Sequence, residues 1–249
     1  MDKEQTQLTK KERRDLKRQN KEAERKRRLR NKKIKKTLKR SVVILIIAVF
    51  IAGFWKLSQQ TSVPSIAQSE ILQVKEDDYK KGNTDAKVVL VEYLDFECEA
   101  CGAYYPLVKR LSEEYKDDVL FIPRYFPLPN HRNGMTSALA VEAAGRQGKY
   151  WEMHDILFEQ QRNWGEQASP NPAIFEQYAK QLNLNMEQFK QDVNSKVVKD
   201  RVVRDRDFAN QLGVNATPTF FLNGEKIQNP RGYEAFKFLI DKAIAQYSI

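Results

Sequence analysis

Cys98 and Cys101 are the only two cysteines in a chain of 249 residues, and they stand three positions apart. Two thiols at that spacing can exchange with a disulfide: one attacks as the thiolate, and the other resolves the mixed intermediate. Other uses of the pair fare worse. A structural zinc site needs more ligands, and the only two histidines, His131 and His154, are too far apart for its usual closely spaced pair. A structural staple closing so short a loop removes little entropy from the unfolded chain. Two inert core thiols are the remaining alternative. The pair is therefore read as a redox site, with no metal and no separate cofactor expected.

The flanking sequence says how the pair is held. Val88-Val89-Leu90-Val91-Glu92-Tyr93-Leu94 is a β-branched apolar run that reads as a buried strand. Beyond the cysteines, apolar residues at 104, 107, 108 and 111 have helical spacing. The cysteines thus sit where a strand turns into a helix. Unpaired backbone N–H groups and the helix dipole favour an anion there, so Cys98, at the helix start, is the expected attacking thiolate. Cys101, one turn further in, is the expected buried resolving thiol.

The net charge of +10 hides an asymmetry. Residues 1–40 hold 19 Lys and Arg against 6 Asp and Glu, and the remaining residues hold 24 against 27. A basic tail with almost no large apolar residues builds no core. It can serve nucleic acid or anionic lipid, but a membrane segment follows it directly, so it is read as a cytoplasmic segment that sets membrane orientation, with no nucleic-acid partner. Residues 41–60 contain the apolar run Val42 to Trp55 and a single charge, Lys56, whose stem can snorkel to the interface. A cleavable signal peptide with Ser65-Ile66-Ala67 as its cleavage site is the rival; an uncleaved anchor with its carboxyl end outside is the expectation. Residues 61–81 read as a polar linker.

From residue 82 onward the pattern alternates. A second apolar run, Val119 to Phe126, contains Pro123, which suits an edge position or an irregular strand end. Helical segments follow over 136–147, 150–161, 174–182, 186–193 and 197–212, broken by Ser169-Pro170-Asn171-Pro172 and Asn183. Thr217 to Ile227 reads as two short strands around Asn223-Gly224, and 233–247 as a final helix. This is the order of an α/β thioredoxin-like fold, over 82–249, with an inserted helical subdomain at about 130–212.

Three stretches carry a family resemblance: Leu94 to Cys101, Phe126-Pro127-Leu128, and Gly213 to Phe220. They resemble the DsbA-type thiol–disulfide oxidoreductases, above all the membrane-anchored Gram-positive, BdbD-like form, over roughly 76–249. The resemblance implies oxidation of exported cysteine-containing proteins, with the disulfide restored by a DsbB-like, quinone-linked membrane partner. It also implies a cis bond between Thr217 and Pro218, placed opposite the cysteines, where backbone groups can pair with an extended substrate. Glu92 interrupts the buried strand; it either faces solvent at a sheet edge or, as the resemblance implies, lies beneath the thiols to relay protons, with Arg124 either its natural partner or a solvated arginine.

The Glu99-Ala100 dipeptide departs from the strongly oxidising members. A carboxylate at Glu99 opposes the thiolate by roughly 1 kcal/mol at ~7 Å and an effective dielectric of about 40, so only moderate oxidising strength is expected. His131 and His154 are given no catalytic role. Trp151, Trp164, Phe158 and Phe175 are read as core of the insertion or walls of a substrate groove. A reductase or isomerase on the same fold and a non-redox binding module are the alternatives.

Overall fold

The computed structural model describes residues 70–247 and, apart from them, Arg27. The expected anchor at 41–60 lies outside these residues, as does the basic tail but for Arg27. Among the described residues no helix is long and apolar enough to cross a membrane.

Five strands form one sheet in the order β1-β3-β2-β4-β5: β1 (Lys81–Gly82), β2 (Val88–Leu94), β3 (Val119–Tyr125), β4 (Thr219–Leu222) and β5 (Glu225–Lys226). β2 and β3 run parallel, as strands joined by a crossover helix must, and the other pairs are antiparallel. The crossover is α1 (Glu99–Glu114). β4 and β5 are joined by Asn223-Gly224, both at positive φ (49° and 81°), the conformation a two-residue hairpin turn requires. Pro123 does lie at an edge. β1 pairs only with Leu120 and Phe121, so the outer side of β3 is open where proline lacks its N–H.

β2 is central and covered on both faces, which explains its near-continuous apolar sequence. Val88 and Leu90 face Leu111 and Tyr115 at α1 together with Phe236 and Ile240 of α8 (Tyr233–Ala245). Val91 and Tyr93 face the opposite way, toward Ala209 and Val214. Between β3 and β4 lie six helices: α2 (Gly134–Gly145), α3 (Tyr150–Glu159), α4 (Gln161–Trp164), α5 (Pro172–Gln181), α6 (Met186–Asn194) and α7 (Lys196–Gln211). They build their own core, in which Trp164 and Phe175 meet edge to face at 5.0 Å. Cys98 and Cys101 belong to this core, so the insertion packs directly on the cysteine turn.

Two expectations fail. Residues 70–81 are not linker: Ile71 and Leu72 are buried, and Asp78 is buried against Arg124. Arg124 is not the partner of Glu92. In the β2–β3 register Glu92 lies opposite Pro123 and Tyr93 opposite Arg124, so the two charges point to opposite faces of the sheet. Arg124 instead donates to both Asp78 carboxylate oxygens, at 3.1 and 2.7 Å, and to the carbonyls of Ile71 and Gln73. A buried guanidinium needs such a set, and the residues before β1 supply it.

Candidate active site

Cys98 is the N-cap of α1, with extended backbone (φ −68°, ψ 118°) and no side-chain capping bond, so its sulfur is left free above the first turn. It is 8 % exposed and Cys101 is fully buried. Both are free thiols. The peptide bond between Thr217 and Pro218 is cis, and the Cys98 thiol donates to the Thr217 carbonyl oxygen at 3.4 Å. The cysteine turn and the proline loop are therefore in contact, although 119 residues separate them.

The two sulfurs differ electrostatically. Cys98 is pulled down to about 5, chiefly by the hydrogen bond from the Cys101 thiol, with help from the Thr217 side chain and the backbone N–H groups of Cys101 and Ala100, against the cost of burial. The buried Thr217 hydroxyl has no partner while Cys98 is a neutral thiol, which leaves it available to the thiolate. Cys101 is pushed well above the ordinary thiol range by burial first, then by its hydrogen bond to Cys98 and the nearby charges of Cys98 and Glu92. One sulfur is set up to be an anion at neutral pH, and the other to keep its proton.

Glu92 lies on the α1 face of β2, 8 % exposed, between Pro123 on β3 and Phe220 on β4. Neither neighbour can hydrogen-bond a carboxyl, and burial raises it to about 8. Glu99 is elsewhere. It is exposed at the start of α1 and lines an open groove of about 510 Å³ with Gly102, Glu159, Gln161, Arg162 and Glu166. Glu99 is not among the groups that chiefly shift Cys98.

A model of the family described as Thioredoxin matches residues 75–242. The chain belongs to the thioredoxin family. Among solved structures, alpha-DsbA1 of Wolbachia pipientis is 25 % identical with a TM-score of 0.66, covering 72 % of this chain and 96 % of that one. Oxidised BdbD of Bacillus subtilis is likewise 25 % identical, with a TM-score of 0.61, covering 68 % of this chain and 93 % of that one. These likenesses make it a DsbA-type thioredoxin-fold oxidoreductase. In sequence it is also 36 % identical to the Na(+)/H(+) antiporter NhaA 3 of Salinispora tropica over 169 residues, 68 % of this chain and 25 % of that protein. It is 34 % identical to NhaA 1 of Mycolicibacterium vanbaalenii over 198 residues, 76 % of this chain and 31 % of that protein. The chain spans about a quarter to a third of the length of these curated relatives.

The DsbA-type turn is braced by residues that the sequence did not single out. The buried Asp95 carboxylate accepts from the N–H groups of Leu128 (2.7 Å) and Glu97 (2.8 Å) and meets His131 Nδ1 at 2.7 Å. Buried Glu97 accepts from the N–H groups of Asn133 and Glu166. Gln161 Nε2 donates to the carbonyls of Phe96 (2.7 Å) and Cys98 (2.9 Å), and a Cβ at Gly102 would collide with that side chain. The carboxylates at 95 and 97, one and three positions beyond the apolar run and flanking Phe96, were the available signal; Gln161 offered none. The His154 ring lies among aromatic side chains, edge to face with Phe96 at 5.5 Å and with Phe158 at 5.1 Å. Among the described residues no group of three or more metal-ligating side chains comes together.

Proposed function

We propose that this chain introduces disulfides into exported proteins through the Cys98-Glu99-Ala100-Cys101 turn. The observation that carries the reading is the asymmetry of the sulfurs, an exposed-side thiolate at a helix start and a buried thiol beneath it. Oxidising strength in this chemistry comes from stabilising the reduced form. With Cys98 at about 5 instead of 9, the dithiol gains up to about 3 kcal/mol at pH 7, or some 60 mV toward oxidation. Glu99, being exposed and solvent-screened, takes little of this back.

A client thiolate, its extended backbone beside Thr217 and Pro218, attacks Cys98 Sγ of the oxidised protein. The Cys98–Cys101 bond breaks, its electron pair goes to Cys101 Sγ, and Glu92 supplies the proton that Cys101 requires. A second client thiolate then attacks the client sulfur of the mixed disulfide and releases Cys98 as the thiolate. The client loses two electrons and the protein gains them. A DsbB-like membrane partner would remove them again, and no cofactor of this chain's own is needed.

The basic tail and the 41–60 span support a single-pass anchor with the catalytic domain outside the cytoplasm. Protease added to intact spheroplasts should remove the domain and leave the tail; protection of the domain would reverse that topology. The reaction is tested by acid-trapping free thiols in cells and by mixing the oxidised protein with a reduced two-cysteine client. A resting disulfide and one client disulfide formed per protein are expected. A resting dithiol that reduces client disulfides would overturn the oxidase reading.

A further inference from the structure

Each exchange moves a proton as well as electrons. Cys101 must gain one when the disulfide opens and lose it when the disulfide closes, yet it is fully buried. Glu92 can hold that proton, but it is itself more than nine-tenths buried. Among the described residues nothing hydrogen-bonds its carboxyl or pairs with it, and its strand neighbours Pro123 and Phe220 have nothing to offer. What it faces is a narrow cavity of about 30 Å³, enough to admit water.

That cavity runs between the sheet, α1 and α3, and four other titratable side chains line it: Lys81, Tyr105, Lys109 and His154. Three are poor carriers. Burial holds the Tyr105 phenol above its usual range. Lys109 is held as a cation by Tyr105 and by the carboxylates of Asp155 and Glu159, at 3.0 and 3.2 Å. Lys81 is engaged in a cation–π contact, over the Trp151 ring at 5.3 Å from its centre. His154 is different. Burial lowers it, so the ring is neutral at pH 7 with a lone pair to offer. Its Nδ1 lies 3.1 Å from Asp155 Oδ1, a carboxylate that is about a quarter exposed. Its Nε2 has no hydrogen-bond partner among the described residues.

We propose that His154 is the outlet through which Glu92 exchanges its proton with solvent, by way of water in the cavity that the two residues share. When the disulfide opens, Glu92 protonates Cys101, and a proton entering at Asp155 and His154 restores the Glu92 carboxyl. When the disulfide closes, the same proton leaves by the reverse path. His154 acts through Glu92 and does not touch the sulfurs. The inference rests on the exchange chemistry proposed above.

The test uses the full-length protein and steady-state turnover between dithiothreitol and a disulfide-containing client peptide from pH 5 to 9. His154→Phe keeps a ring among Phe96, Tyr105 and Phe158, and His154→Gln is a second variant should the first fold poorly. Both should turn over about tenfold more slowly near pH 7, with a larger solvent deuterium isotope effect. Added imidazole should restore the rate, while the reduction potential and the Cys98 thiolate titration stay at wild-type values. Glu92→Gln should be slow and should not respond to imidazole. Wild-type rates and pH profiles in both His154 variants would overturn the outlet, as would a loss that imidazole does not relieve. If Glu92→Gln is slow while the His154 variants are not, only the outlet falls. If Glu92→Gln is also fast, the relay through Glu92 falls with it; absence of turnover in the wild type would remove the exchange chemistry itself.

Discussion

At Cys98, one atom decides how easily the sulfur ionises: the proton donor on Cys101. Helix-start N–H groups and the Thr217 side chain contribute, but the neighbouring thiol leads. A hydrogen bond to a charged group is worth about 1.5–3 kcal/mol, or roughly one to two pKa units. Cys101→Ala should therefore raise the Cys98 midpoint, read from thiolate absorbance near 240 nm, by about that much. Cys101→Ser keeps a hydroxyl donor and should raise it less. Equal midpoints in wild type and Cys101→Ala would shift the explanation to the backbone N–H groups alone. Cys101 thus has two jobs, since the sulfur that takes the electron pair when the disulfide opens also keeps the attacking sulfur ionised.

Between elements, the cysteine turn is held by the insertion as much as by the sheet. Gln161 at the start of α4 ties down the carbonyls of Phe96 and Cys98, and Gly102 in α1 leaves room for its side chain. Gln161→Ala should cost about 1–2 kcal/mol by losing two part-buried hydrogen bonds. Gly102→Ala should force the same side chain away and so remove the same bonds. The two losses are then one loss, and the double variant should be clearly less destabilised than the sum, as urea unfolding of all four proteins would show. Additive losses would mean that Gly102 is there for some other reason. A helical glycine near a catalytic thiol, otherwise a weak point, is explained by the side chain packed over it.

For the whole molecule, two ion sites set stability. Arg124 and Asp78 are both buried, with Arg201 and Asp205 paired beside them. Arg124→Met leaves the buried Asp78 without its main partner, at a cost of about 3–5 kcal/mol in denaturant unfolding, while the redox potential stays unchanged. A loss below about 1 kcal/mol would mean that solvent reaches Asp78.

The second site is Glu92. Its folded value of about 8 lies above the ordinary 4.5, so its stabilising contribution is complete below pH 4.5 and is lost as pH rises toward 8. Cys98 runs the other way: lowered from 9 to about 5, its contribution is complete above pH 9 and is lost as pH falls toward 5. In the reduced protein the two slopes oppose each other. In the oxidised protein Cys98 no longer titrates, so stability should fall by up to about 5 kcal/mol between pH 4.5 and 8, and Glu92→Gln should flatten that decline. Parallel pH profiles for the oxidised and reduced forms would refute the Cys98 assignment, and an oxidised profile no steeper than that of Glu92→Gln would refute that of Glu92.

The cysteine pair, its strand and helix, the hairpin at Asn223-Gly224 and most helices of the insertion could be read from the chain alone. These are local signals, since spacing, periodicity and turn residues act over a few positions. The α1 face of β2 for Glu92 and the opposite face for Arg124 required the β2–β3 register, because a shift of one residue exchanges the two faces. The folding of residues 70–81 was hidden for a related reason: their composition is polar, and it was the buried guanidinium of Arg124 that drew Asp78 inside. Gln161, Asp95 and Glu97 become part of the site only when the insertion closes over the turn. Nothing in their own neighbourhood records a contact made across 33 to 69 residues. The cavity joining Glu92 to His154 is of the same kind, a space bounded by three elements and encoded by none of them alone.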